Sequence, residues 1–478
     1  MAGSDQPWNE ERSDSPIVHW SPEQFRLYGH QLVDWLAARL ASADEDPIIP
    51  ALKPGDIMSR LPEAAPEDPE DFLELLNDLD SVVRPGLVGW QHPGWFAFFP
   101  GNTSPPSILA ELAAAGLAQQ GMLWSTSPAT TEIEMRVLDW LVDLLGLPST
   151  WKSSGTGGGV IQMSASDATH VAAVVARARA GSRAPLDSLV AYGSAQAHSS
   201  IEKGARVAGF RHYRAVDVGD GYAIAVEALE EAIRRDLAAG LVPAWLVSTV
   251  GTTGTTAIDP VRACAKVARK HGIWHHVDAA FAGSAMICPE FRHLQDGLES
   301  VDSYVFNPHK WLLTNFDCSA FYVADRQALI DTLSIVPPYL RGAMAESTAV
   351  FDYRDWHVAL GRRFRALKLW WVLRAYGAKG LRAFIREHVR LAQMLATRIE
   401  THPRLDLFAP VPLSLVCFRH VDGNLATTEL ARAINESGHS YVTPSVIGDE
   451  TFIRVSIGQT GTAQTHVERL WNLIAARA

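Results

Sequence analysis

Cysteine is scarce in this chain: four in 478 residues, with no Cys-x-x-Cys pair. So few thiols exclude a disulfide-stapled scaffold, and the missing pair removes the usual zinc-ribbon and redox signatures. Basic residues are in deficit, 42 Lys and Arg against 53 Asp and Glu, for a formal charge of -11. That balance argues against nucleic acid as a partner, because phosphate contacts need clustered cations. No long unbroken apolar run occurs. The nearest, Ile108 to Trp124, is interrupted by Glu111, Gln119 and Gln120, and reads as a helix against protein rather than across a membrane. The first fifteen residues are acidic and polar, unlike a secretory leader, so the expected location is cytoplasmic. His-Glu-x-x-His, Gly-x-Ser-x-Gly and Gly-x-x-x-x-Gly-Lys are all absent. The glycines Gly155, Gly157, Gly158 and Gly159 lack dinucleotide-binding spacing, which leaves nucleotide cofactors unsupported.

Apolar material is plentiful, at 47% of residues with 15 Trp and 17 Phe, enough for one large core and a smaller second one. Phe25, Tyr28, Leu32, Trp35 and Leu36 recur at helical spacing behind Ser21 as N-cap and Pro22 as first helical residue. An acidic, proline-rich connector follows, then a short helix over Phe72 to Leu79. The aromatic stretch Trp90 to Pro100 is expected to bury its rings against another subunit. Ser127-Pro128 opens a helix with an expected apolar face of Ile133, Val137, Trp140, Leu141 and Leu144, closed by Gly146. Ser166 to Ala180 is another helix. Buried strands are expected at Ser188 to Tyr192, Ala244 to Val250, Trp274 to Val277, Ser303 to Phe306 and Ser319 to Val323. Helices such as Val226 to Ala239 and Pro260 to Lys270 lie between some of them, the pattern of a mostly parallel α/β sheet covered on both faces. The last hundred residues read as a small α+β domain, with helices around Leu381 to Ile399 and Thr428 to Ser437 and strands at Ser414 to Phe418 and Phe452 to Ile457. The expected partition is an N-terminal arm over 1–104, a large domain over 105–374 and a small domain over 375–478.

Ligands of open α/β sheets bind beyond the carboxyl ends of the strands. Those ends carry Gln196-Ala197-His198-Ser199-Ser200, Gly251-Thr252-Thr253, Asp278-Ala279-Ala280 and Asn307-Pro308-His309-Lys310-Trp311, with Ser164, Ala165 and Ser166 at a helix start. Taken singly, Ser166 can cap its helix, His198 can be a satisfied interior histidine, Asp278 can accept loop amides, and Lys310 can be a solvated loop lysine. Together, small hydroxyls, one imidazole, one carboxylate and one amine at one sheet edge suggest a single ligand. It would have an anionic end, a planar polar body and an electrophilic carbon. His271, His275, His276 and Asp278 invite a metal reading, but a third convincing ligand is missing, so no metal is expected. The run Arg362, Arg363, Arg365 and Lys368 reads as a solvated or interface helix face.

The segment His276 to Ala285 followed by Asn307-Pro308-His309-Lys310-Trp311 resembles the group II pyridoxal-phosphate-dependent amino acid decarboxylases. The likeness is greatest to those acting on aromatic L-amino acids. Further matching pieces are His92-Pro93 through Pro100, Ser127-Pro128-Ala129, Gln196 through Ser200, Phe316 through Ser319 and Gly361 through Arg365. The resemblance implies the fold type I architecture, with a mostly parallel seven-stranded sheet, an N-terminal helical arm and a small C-terminal α+β domain. It also implies an obligate homodimer with active sites at the subunit interface and the arm wrapped around the partner.

Residue by residue, the resemblance implies that Lys310 bonds pyridoxal 5'-phosphate covalently and that Asp278 pairs with its ring nitrogen. His198 stacks on the ring and serves proton transfer, and Ala280 packs the opposite face. Ser164, Ala165, Ser166, Asn307 and His309 hold the phosphate, Thr253 contacts the cofactor, and Tyr339 in a mobile loop donates a proton at Cα. The substrate pocket is expected from Trp90, Phe98, Phe99, Pro100, Gly101, Met122, Trp124 and Gly361. Met122 and Gln120 replace Phe and Ile of the animal DOPA-enzyme pattern, Phe98 replaces Tyr, and Gly101 replaces Thr. Those changes and the small Gly361 favour an indole or phenyl ring, tryptophan first. The competing expectations are an aldehyde synthase or an aminotransferase on the same cofactor linkage, and, from another class, a catalytically silent interaction scaffold. Tyr339, where synthases of the family often carry Phe, favours decarboxylation; the absence of a dedicated basic pocket disfavours glutamate.

Overall fold

A computed structural model describes residues 19–335 and 351–478, which divide into two compact units between His92 and Pro93. The first unit opens with helix Pro22–Ala41, whose Ser21 and Gln24 cap each other reciprocally as expected from the sequence. Trp20, Tyr28 and Phe72 form an aromatic cluster, and Asp46 bridges Arg39 and Arg84. Among residues 19–92 only Ile48 and His92 are buried, so this unit holds almost no core of its own.

The second unit contains a seven-stranded sheet of β1 (Gly158–Gln162), β2 (Leu189–Ser194), β3 (His212–Val216), β4 (Val242–Thr249), β5 (Trp274–Asp278), β6 (Ser303–Phe306) and β7 (Ser319–Val323). Its order is β1-β7-β6-β5-β4-β2-β3, with β7 antiparallel to both neighbours and the other pairs parallel. Strand alternation feeds two cores. Tyr304, Phe306, Ala320 and Tyr322 face one, with helix Pro128–Leu145; Val305, Phe321 and Val323 face the other, with helix Ala165–Gly181. β1 and β3 were not expected. β1 begins with two glycines that β-propensity would reject, yet a side chain on Gly159 would collide with the Tyr322 ring.

Four shorter strands, β8 (Leu405–Leu407), β9 (Leu415–His420), β10 (Thr443–Ile447) and β11 (Glu450–Ser456), make an antiparallel sheet in the order β10-β11-β9-β8. One long helix, Ala366–Glu400, packs on the helices at 105–117 and 128–145 and also on the small sheet. It breaks once, at Gly377, whose φ of 62° is strained for any residue with a side chain.

Several expectations need correction. The apolar run 108–124 is not one helix: the helix is Pro105–Leu117, and Ala118 ends it in the left-handed conformation. Trp140 lies on the exposed side of its helix; the buried stripe is Val137, Leu138, Leu141, Val142 and Leu145. Trp95 and Phe96 are buried within this chain, not left for a neighbour. Phe96 exchanges backbone hydrogen bonds with Tyr441 and Ser456, which lays the segment along the small sheet and stacks Trp95 on Tyr441 at 5.2 Å. Residues 362–365 precede the helix instead of decorating it. Arg362 is buried against Glu134 at 2.6 Å, Lys368 reaches Glu111 at 2.9 Å, Arg365 reaches Asp317 at 3.0 Å, and Arg363 alone is exposed, paired with Glu111. Their charges are spent on tertiary ion pairs.

Candidate active site

The site lies where β4, β5 and β6 end and the helices at 165–181 and 199–207 begin. Asp278 is the last residue of β5, and its Oδ1 accepts the Ala280 N–H at 2.9 Å, turning the chain away from the sheet. After β6 the chain makes one helical turn, Pro308–Trp311, bringing Asn307, His309 and Lys310 to the same edge. Ser319 Oγ donates to Asn307 Oδ1 at 2.6 Å, and the Cys318 N–H donates to His309 Nδ1 at 2.9 Å. Each of these side chains therefore has one end fixed by the fold.

Two helix starts supply the opposite rim. Ser164, rather than Ser166, caps helix Ala165–Gly181 by accepting the Asp167 N–H at 3.0 Å. The first amides of that helix have no partner within it and form an anion-binding end. His198 is itself an N-cap: its Nδ1 accepts the Ser200 N–H at 3.1 Å and meets Ser200 Oγ at 2.7 Å. With Nδ1 committed as acceptor, the ring's proton sits on Nε2.

All ten residues expected around the cofactor line one cavity of about 230 Å³, and Phe99 joins them. Ser200 and Gly251, already noted at the strand ends, line it too, as do Thr249 and Phe281, which were given no role. Thr249 carried a usable signal, because β4 ends there and not at residue 250. Gly251 has φ of 88°, and a side chain there would meet the Ala282 Cβ at 2.8 Å.

Burial governs the electrostatics. The Lys310 ammonium is held below the usual lysine range chiefly by desolvation, with Asp278 opposing and Arg454 reinforcing the shift. Burial likewise lowers His198, with Asp278 pulling the other way, and brings His309 down to about 4. Just behind the site, Asp259 accepts the Thr249 and Ile224 N–H groups at 2.7 Å, and burial raises it to about 6.

The remaining expected substrate residues are not at this cavity. Trp124 lines a separate one with Glu132, Arg136, Asp139 and Phe351. Gln120 and Gly121 are bound to Arg362 through backbone groups and the Gln120 side chain, so Met122 and Gly361 belong to one stapled cluster. Phe98 precedes Phe99 and Pro100 and Gly101 follow it, and Trp90 belongs to the first unit. Tyr339 lies outside the described residues. His275 and His276 are fully buried, bonded to Ser248 and Ser303, and lowered to about 3 by burial; no grouping able to hold a metal occurs among the described residues.

The chemistry of these side chains matches a planar cofactor with an anionic tail. Helix amides, Asn307 and His309 lie on one cavity, with the Asp278 carboxylate and the Lys310 amine on the same walls. The buried Thr249 Oγ1 lacks a hydrogen-bond partner there. That donor set fits pyridoxal 5'-phosphate.

Comparison with known proteins agrees. The pyridoxal-dependent decarboxylase conserved domain matches residues 54–421. Phenylacetaldehyde synthase of Arabidopsis thaliana is 42% identical over 98% of this chain and 99% of its own length. Tyrosine decarboxylase 2 of Narcissus pseudonarcissus is 41% identical over 95% of this chain and 94% of its own. A crystal structure of Oryza sativa TDC with PLP and tryptamine superposes with a TM-score of 0.94 at 38% identity, covering 96% of this chain and 99% of that one. Fold and site thus define a pyridoxal-phosphate-dependent enzyme of fold type I. The chain belongs to the pyridoxal-dependent decarboxylase family and is a carboxy-lyase.

Proposed function

We propose that this enzyme removes the α-carboxylate of an aromatic L-amino acid (tryptophan, phenylalanine, tyrosine or DOPA), yielding the arylalkylamine and CO2. The observation that carries the reading is the joint presence, on one cavity, of the desolvated Lys310 amine and the Asp278 carboxylate. The aromatic preference is supported by the names of the relatives and by the apolar Phe99 and Phe281 in the wall.

When bound, pyridoxal 5'-phosphate supplies an acceptor for the electron pair left on Cα as CO2 departs. Ser164, Ala165, Ser166, Asn307 and His309 hold its phosphate, and Thr253 adds a hydroxyl. Asp278 would pair with its ring nitrogen, and His198 and Ala280 would pack against it. Lys310 would hold it covalently, which requires the neutral amine that burial favours. His198, neutral through burial, keeps a proton on Nε2 for transfer. Exclusion of water around the departing carboxylate would favour the uncharged product. Tyr339 delivers the proton to Cα.

Trp90, Phe98, Pro100, Gly101, Met122, Trp124 and Gly361 complete the substrate pocket when two chains associate, each chain contributing to its partner's site. Leu109, Leu112 and Leu117, each about half exposed on helix Pro105–Leu117, support such a homodimer. No helix among the described residues is long and apolar enough to cross a membrane, and we assign the enzyme to the cytoplasm.

Incubation with Trp, Phe, Tyr, DOPA and His, reading CO2, amine and aldehyde together, tests the assignment. Equal CO2 and amine from an aromatic substrate is the expected result; CO2 with aldehyde in place of amine would favour the synthase reading suggested by the Arabidopsis relative. No product from any aromatic substrate would refute both.

A further inference from the structure

Arg454 of β11 is 4% exposed, yet it forms no ion pair with a carboxylate among the described residues, and burial lowers it from the usual arginine range. Its Nε donates to the Gly254 carbonyl at 3.0 Å and its Nη2 to the Phe98 carbonyl at 3.3 Å, so neutral oxygens alone meet it there. The first contact ties the small sheet to the turn that carries Gly251 and Thr253. The second ties it to the segment that carries Phe99.

Phe99 is shared by two cations. The Arg454 guanidinium carbon lies 5.3 Å from its ring centroid and Lys310 Nζ lies 5.4 Å from the same point. The ring cannot shift freely, because it stacks on Phe281 at 4.1 Å, and Phe281 stacks on Trp311 at 4.7 Å. Trp311 Nε1 in turn donates to His388 Nδ1 at 3.0 Å. A continuous column therefore runs from the small sheet, past the reactive amine, into the long helix.

We propose that Arg454 is a positioning residue: its guanidinium holds the Phe99 ring in place and biases the Lys310 amine toward its neutral, nucleophilic form. A permanent positive charge held against the same ring disfavours a second. The other groups near Lys310 do not duplicate this effect. Asp278 of β5 favours the ammonium, and His198 and His309 are kept neutral by burial. Each charge lies within 5.4 Å of one ring centre, so the two are no more than about 11 Å apart, and at an effective dielectric near 20 the effect is at least about one pH unit. The inference rests on the reading that Lys310 bonds the cofactor.

The test is a pH titration of the visible absorbance of cofactor-loaded protein, for the wild type and for Arg454→Lys, Arg454→Gln, Arg454→Met and Phe99→Leu. The two neutral Arg454 variants should raise the midpoint by about one unit. Arg454→Lys should keep it within a few tenths, and Phe99→Leu should lower it by a few tenths or more, because the positive charge on the protonated, cofactor-linked Lys310 nitrogen loses its aromatic face while the guanidinium charge stays. The same displacements should appear in the pH dependence of pyridoxal phosphate capture by the apoprotein. An unchanged midpoint in a neutral variant of native circular dichroism overturns the proposal, as does an equal shift in Arg454→Lys. If both neutral variants fail to fold, an unmoved Phe99→Leu midpoint overturns it. A wild type with no visible band would instead refute the assignment of Lys310.

Discussion

At the scale of single residues, the site works by division of labour within each side chain. His198 spends Nδ1 on capping its own helix, which orients the ring and leaves Nε2 for chemistry. On the proposed mechanism, replacing it with Gln removes a proton-transfer group. Turnover of the aromatic substrate should fall by roughly 10²- to 10⁴-fold while cofactor absorbance persists, as steady-state rates and spectra of the variant would report. Tyr339→Phe should also retain the cofactor, but amine yield should drop and aldehyde should appear, read by chromatography of the products. Wild-type amine with no aldehyde would remove Tyr339 from the mechanism.

Elements carry the stability argument. Arg362 and Glu134 form a buried pair that also binds the backbone of Ile161 in β1 and of Gly121. Arg362→Met strands the carboxylate and should cost about 3–5 kcal/mol, measured as a lower denaturant midpoint. β5 makes the sheet acid-sensitive. His275 and His276 are lowered to about 3 in the fold from an ordinary 6.5, so between those values the unfolded chain binds more protons. Stability is then lost as pH falls, by about 2 kcal/mol per histidine at pH 5. Asp259, raised to about 6, opposes this, because acid relieves its buried charge, but one carboxyl cannot offset two imidazoles. Denaturant melts at pH 7 and 5 should show the loss, and His276→Gln should shrink it. Strands such as β4 and β7 were legible because they are short, mostly apolar runs. β1 was hidden by its glycines, and β3 by the half-buried, mixed side chains of an edge strand. The residues just past the strand ends could be listed from sequence alone, since that is where such sheets bind ligands. Phe281 was readable only as part of a motif, and Arg454 was not readable at all. It reaches the site from β11, and no local pattern encodes a partner so distant in the chain.

For the whole molecule, the question is how many chains make one working unit. Leu109, Leu112 and Leu117 project about half exposed from one helix, an apolar surface that a partner would cover. Sedimentation should give twice the chain mass. Leu112→Lys should shift the boundary toward the single-chain mass and, on the proposal that each site draws residues from both copies, reduce turnover with it. A single-chain mass in the fully active wild type would contradict this.

Cys264, Cys288, Cys318 and Cys417 are all buried and unpaired, and burial raises each thiol, to between about 11 and 12. Sulfur kept so far from its reactive anion is slow to oxidise. The enzyme can therefore be stirred in air without reductant and should lose neither shelf life nor solubility to crosslinked aggregates.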